Sequence, residues 1–197
     1  LRTVTGVQTC ALPISPDVSA DRFHAMTRLD ENRAKGQLAR KAGVTADAVH
    51  RMAIWGNHSD TMFPDWYHAE INGKAATEIA EENWFQGEFL KTVATRGKAI
   101  IEARGQSSAA SAASAAIDHM ATLWKGTEDW TSMAIASKGE YNVPEGLIFS
   151  FPVTVQNGNV TVVEGIQHDA FAQSKIAATI KELENERVTV TDLLGKR

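Results

Sequence analysis

Arg28-Leu29-Asp30-Glu31-Asn32-Arg33-Ala34-Lys35 is followed by Ile54-Trp55-Gly56-Asn57-His58-Ser59, which sets His58 25 residues after Arg33. The two stretches supply a carboxylate, a guanidinium and an imidazole, the set needed to hold a small carboxylic acid and move a proton on its hydroxyl. Asp30 to Ala42 reads as a helix, with Asp30 as N-cap and Gly43 as the C-terminal stop. Asp30 and Arg33 then leave its first turn on neighbouring sides. Met52 to Trp55 is a short apolar run ending at Gly56, the pattern of a buried strand that delivers Asn57 and His58 to its end.

Outward from this pair the pattern continues. Met62 to Ile79, with its aromatic residues, Pro64 and Asn72-Gly73, reads as a hairpin with a type I′ turn. Phe85, Phe89, Val93, Ile100 and Ile101 fall near helical spacing, with a bend expected at Gly97. Gly105 to Ala116 is rich in alanine and serine, and it reads as helix rather than linker. Alanine is the best helix former, and Ile117, Met120, Leu123 and Trp124 carry an apolar face straight out of the run. After Gly126 come strands at Trp130 to Ala136, Gly146 to Val155 and Val160 to Val163, the last two joined by a hairpin turn at Asn157-Gly158. Asp169 to Glu186 closes the chain as an amphipathic helix with Phe171, Ile176, Ile180 and Leu183 on one side. The expected class is α+β, with antiparallel strands and segregated helices. No Gly-x-Gly-x-x-Gly follows a strand, so the dinucleotide fingerprint is absent from these residues.

The chain has 197 residues, 43% of them hydrophobic and 22% charged, which suits one globular domain. Its net charge of −4, without a basic tract, argues against nucleic acid and anionic membrane as partners. No apolar run reaches the roughly 18 residues of a membrane span. Val4 to Ile14, Val-Thr-Gly-Val-Gln-Thr-Cys-Ala-Leu-Pro-Ile, matches the in-frame translation of a sequencing-library adapter. It lacks the long apolar stretch and small-residue cleavage site of a signal peptide, and residues 1–14 are set aside from the fold. Without them the chain has 19 basic and 24 acidic residues, net −5, and no cysteine, since Cys10 lies in the excluded segment. That excludes a disulfide, a thiolate nucleophile and a cysteine metal site, and suits a reducing cytoplasm. No metal ligand set is read from the remaining residues.

Among the candidate chemical groups, His58 is the natural acid–base residue, because histidine alone titrates near neutrality unperturbed. Asp30 orients it by accepting from its other ring nitrogen, or serves only as a helix cap; two carboxylate oxygens allow both. Arg33 offers a planar two-point fork for a carboxylate, against the plainer role of a solvated helix arginine. Asn57 shapes the pocket or simply makes a turn. Glu31 and Lys35 read as a solvated helix pair. His24, His50, His68, His119 and His168 lack comparable context and are taken as structural or surface residues.

Asp-x-Asn-Arg-Ala at Asp30 to Ala34 with Gly-Asn-His-Ser at Gly56 to Ser59 resembles the cytosolic-type malate dehydrogenases of the lactate/malate dehydrogenase superfamily. Lactate dehydrogenases commonly carry Gly-Glu-His-Gly around their histidine instead. Further matches are Glu102-Ala103-Arg104, Ser107-Ser108-Ala109, Ser150-Phe151-Pro152-Val153 and Val163-Glu164-Gly165, so the likeness runs from about Ser15 to the C-terminus. The resemblance implies the C-terminal substrate-binding domain over residues 15–197, with His58 as proton acceptor, Asp30 as its partner and Arg33 on the substrate carboxylate. Ser107 and Ser108 lie where the family's small-residue helix passes the active site, so Ser108 either lines the pocket or only packs closely.

The resemblance further implies (S)-malate and oxaloacetate as the substrate pair, NAD as cofactor, a place in the tricarboxylic acid cycle, a homodimer and a cytoplasmic location. The family's nucleotide-binding half has no counterpart in these residues, so the cofactor contacts are unknown. Its mobile specificity loop is likewise missing. The expectation is therefore a fragment inactive alone, with an apolar face exposed where a second lobe would pack and poor solubility as the result. The alternatives are a folded or dimerising remnant without catalysis and a dehydrogenase for another 2-hydroxy acid.

Overall fold

In the computed structural model, which describes residue 17 and residues 19–194 with side chains to 190, helix α1 runs Arg28–Ala42. It starts two residues earlier than expected. Thr27 is the N-cap residue, and its carbonyl accepts the backbone N–H groups of Asp30 at 3.1 Å and Glu31 at 3.0 Å. Asp30 is therefore not a cap but an inward-facing residue of the first turn, and the excluded segment 1–14 lies outside the described residues. Gly43 ends the helix in the left-handed conformation expected of it, at φ 71°.

Among the described residues three antiparallel sheets follow. Strand β1 (Val49–His50), β4 (Glu70–Ile71) and β5 (Lys74–Ala75) form one, ordered β1-β4-β5. The second pairs β2 (Ala53–Trp55) with β3 (Phe63–Asp65), in register Ile54 to Pro64. The third is β6 (Thr131–Ala136), β7 (Ile148–Gln156) and β8 (Asn159–Val162), with the expected turn at Asn157-Gly158. The expected hairpin of Met62 to Ile79 is thus confined to Glu70–Ala75 around Asn72-Gly73. Pro64 lies instead in a strand that turns back on β2, because Phe63 and Trp66 are drawn into the core.

The helical region opens with a turn at Glu82–Trp84 and a π-helical stretch at Phe85–Phe89, then continues as α2 (Leu90–Arg104). The irregularity falls at the π stretch and not at Gly97, where α2 is unbroken. Phe85 and Phe89 are fully buried, and Phe85 stacks on Trp66 at 5.3 Å between ring centroids. Helix α3 (Ala109–Lys125) begins at the alanine run, but Gly105 to Ser108 stand outside it. Of the expected apolar face only Leu123 packs against the core. Ile117, Met120 and Trp124 are exposed, Trp124 to 89%, while Ala115 and His119 face inward. Helix α4 (Ala170–Leu194) buries Ala172, Ile176 and Leu183 and packs against β3. None of the described helices is long and apolar enough to cross a membrane.

Glu31 joins these layers. It is fully buried, and its Oε2 accepts from Thr131 Oγ1 at 2.8 Å and from the Ser132 backbone N–H at 2.7 Å. Lys35 Nζ lies 2.9 Å from Oε1, with 23% of its side chain exposed. The expected solvated pair is therefore a buried carboxylate fastening α1 to β6. Burial works to raise its pKa, but Lys35, Arg28 and the Ser132 hydrogen bond prevail and hold it below the ordinary value. A carboxylate depressed on folding stabilises the protein above its ordinary pKa, and that contribution is lost as pH falls through the folded value. Glu31→Gln is expected to lower stability by about 2–3 kcal/mol, read as an earlier urea midpoint at neutral pH. The difference from the native chain should shrink in acid.

Candidate active site

Asp30 brings the sequence candidates together. It is fully buried, and its Oδ2 lies 2.5 Å from His58 Nδ1, while its Oδ1 accepts from Arg33 Nη1 at 3.1 Å. One carboxylate thus bridges the imidazole and the guanidinium. With Nδ1 committed to Asp30, Nε2 is the ring nitrogen turned to a ligand, and 32% of the His58 side chain is open to solvent. Arg33 is largely buried, and only one of its nitrogens is engaged by Asp30.

The Asp30 hydrogen bond raises the His58 pKa, against burial and with the carboxylate's charge in support; the Arg33 charge opposes it. A histidine raised on folding stabilises the protein below its ordinary pKa and ceases to do so as pH rises through the raised value. His24 and His119 instead face each other at 3.0 Å, and burial pushes His119 down to about 4.

Two glycines make the geometry possible. Gly56 has φ +104°, and a Cβ there would stand 2.3 Å from Thr179 Cγ2, so only glycine lets α4 approach the end of β2. Gly97 faces the guanidinium, where a Cβ would stand 3.3 Å from Arg33 Nη2. Gly97 is thus a close-approach residue rather than the expected bend.

Helix α4 holds the loop that carries His58. Thr179 Oγ1 accepts the Asn57 backbone N–H at 2.9 Å. Glu182 Oε2 accepts from both Ser59 Oγ and Thr61 Oγ1 at 2.5 Å, and the Asn57 amide donates to Glu186 Oε1 at 3.0 Å. Asn57 therefore anchors the loop to α4. Sequence reasoning missed Thr179, Glu182 and Glu186. The available signal was Thr179 itself, a hydroxyl three residues after Ile176 and four before Leu183, interrupting an apolar stripe. Ser108 stands apart: it precedes α3 and donates to Ser111 at 2.6 Å, with no hydrogen bond to His58, Asp30 or Arg33.

In a proton NMR titration, His58 is expected to titrate above about 6.5, the ordinary histidine value. Asp30→Asn should bring it below that value, because burial and Arg33 remain while the carboxylate is gone. An unchanged midpoint would contradict the assignment of Asp30 as the controlling group.

Residues 27–193 match the family model for the lactate/malate dehydrogenase alpha/beta C-terminal domain. Malate dehydrogenase from Cutibacterium acnes (strain DSM 16379 / KPA171202) is 54% identical over 180 residues, covering 90% of this chain and 55% of the relative. Among solved structures, malate dehydrogenase from Naegleria fowleri superposes with a TM-score of 0.89 at 42% identity, over 94% of this chain and 58% of that one. Trichomonas vaginalis lactate dehydrogenase in complex with NADH and oxamate superposes with a TM-score of 0.90 at 31% identity, over 95% and 60%. The chain thus spans little more than half the length of these relatives. With its all-antiparallel sheets, its His58 loop and this match over most of its length, the chain belongs to the lactate/malate dehydrogenase family, as its alpha/beta C-terminal domain.

Proposed function

We propose that this chain is the substrate-binding part of an NAD-dependent malate dehydrogenase, interconverting (S)-malate and oxaloacetate. The observation that carries the reading is the Asp30 bridge between His58 and Arg33. Oxidation of a 2-hydroxy acid requires a base at the hydroxyl and a cation at the neighbouring carboxylate, held at a fixed separation. His58 Nε2 takes the hydroxyl proton, Asp30 accepts from Nδ1 and favours the imidazolium so formed, and Arg33 binds the carboxylate. In the reverse direction His58 returns the proton to the carbonyl oxygen. The described sheets are all antiparallel and carry no glycine-rich strand-to-helix turn, so these residues offer no phosphate seat for a dinucleotide. NAD would supply the hydride acceptor, and on this reading its seat lies outside the described residues. The proposal also carries a homodimer and a cytoplasmic location, which rest on the family likeness.

The test is the intact gene. Genomic DNA read across the Ser15 codon is expected to show roughly 140–150 upstream codons with a strand, a glycine-rich turn and a helix, the size of a nucleotide domain. A locus that begins with Leu1 to Ile14 would instead support a non-catalytic remnant. The intact product should oxidise malate in preference to lactate. A preference for another 2-hydroxy acid would overturn the substrate assignment.

In that enzyme, malate oxidation should rise with pH as His58 loses its proton, with a midpoint above about 6.5, and oxaloacetate reduction should fall through the same midpoint. Arg33→Lys keeps the charge but loses the fork, and turnover should drop by about 100-fold. Gly97→Ala should leave stability unchanged or raise it by up to about 1 kcal/mol through helix propensity, while displacing the guanidinium and raising the malate KM several-fold. Unaltered steady-state kinetics in Gly97→Ala would remove the close approach from the mechanism.

A further inference from the structure

Asp65 ends β3 and is fully buried. Its Oδ1 accepts the Tyr67 backbone N–H at 3.1 Å, and its Oδ2 accepts the Trp55 indole N–H at 3.1 Å and lies 2.8 Å from His68 Nδ1. The residues just ahead of α4 bring in a third group. His168 Nδ1 lies 4.0 Å from the same Oδ2, with only 7% of its side chain exposed, and its ring stands edge-on to Trp55 at 4.6 Å between centroids. Yet neither ring nitrogen of His168 has a hydrogen-bond partner. An imidazole buried with both nitrogens unsatisfied, beside a buried carboxylate, points to a missing third party.

We propose that Asp65, His68 and His168 form a binding site for a divalent transition-metal cation of the zinc class. Their ligand atoms all lie within 4.8 Å of one another. Two imidazole nitrogens and one carboxylate oxygen suit Zn²⁺, with a fourth position left for water; Mg²⁺ and Ca²⁺ favour all-oxygen sets. At bond lengths of about 2.0–2.2 Å, tetrahedral ligand atoms stand roughly 3.3 Å apart. Reaching that separation opens the 2.8 Å pair by about 0.5 Å and draws wider pairs, which lie up to 4.8 Å apart, inward by as much as about 1.5 Å. His68, with 27% of its side chain exposed, is the way in. The cation ties the end of β3 to the root of α4, across 100 residues of sequence between His68 and His168. A buried water bridging His168 to Asp65 is the competing occupant.

The full chain, free of any affinity tag and stripped with a chelator, is titrated calorimetrically with zinc chloride and, in parallel, with cobalt chloride followed by visible absorption. One equivalent of Zn²⁺ is expected to bind and to raise the melting temperature. Co²⁺ should give the strong visible bands of a low-coordinate nitrogen–oxygen site, and millimolar Mg²⁺ should not compete. His168→Ala should weaken binding by about 100-fold, the upper end of what even an outer partner is worth. His68→Gln, at the more exposed ligand, should do the same in a protein whose melting shows it folded. His50→Ala, at an exposed histidine outside the cluster, should change nothing. Absence of saturable Zn²⁺ binding by the native chain would overturn the site and leave water as the occupant. So would one-equivalent binding that survives both His168→Ala and His68→Gln.

Discussion

A carboxylate cut off from water must find its partners within the protein, and Asp30, with none of its surface exposed, finds one for each oxygen. Burying an unpaired carboxylate is prohibitive, so the fold around Asp30 has little latitude. Helix α1 has to begin at Arg28 to place Asp30 in its first turn, where the positive end of the helix dipole favours a negative charge. Strand β2 has to end at Trp55 so that His58 arrives opposite Oδ2. Arg33 has to pass close to α2 at Gly97, where a Cβ would stand 3.3 Å from its Nη2.

The next residue along the helix carries a second buried carboxylate with a different task. One residue turns a helix by about 100°, so Asp30 and Glu31 look to different neighbours. Asp30 faces the site and Glu31 faces the sheet, where Thr131 and Ser132 receive it. The polar pair at the head of α1 thus serves chemistry on one side and architecture on the other. Both depend on complete pairing, because a half-satisfied buried network is worse than an apolar one.

Local signals carried much of this into the sequence. Gly43 and Asn157-Gly158 are read correctly because a helix stop and a type I′ turn are decided by two or three residues. Gly56-Asn57-His58-Ser59 and Asp30-x-x-Arg33 are legible because the chemistry sits in contiguous motifs and in the family likeness. What was not legible is set by distant contacts. Asp30 looks like a cap until Thr27 is seen to begin the helix, and Glu31 looks solvated until Ser132 is seen above it. Ile117, Met120 and Trp124 have the spacing of a buried face, but α3 turns Ala115 and His119 inward and leaves Leu123 alone of that face on the core. Glu182 resembles any surface glutamate until the loop hydroxyls close on it.

That last arrangement bears on when the site comes into being. Ser59, Thr61 and Asn57 meet partners 121 to 129 residues further along the chain. Contacts of such separation close late in folding, since the loop entropy must be met before they are rewarded. A ribosome releases the His58 loop long before it releases Thr179, Glu182 and Glu186. During synthesis the nascent chain therefore holds Asp30, Arg33 and His58 but not the brace that fixes their loop, and the site acquires its final shape only when α4 docks.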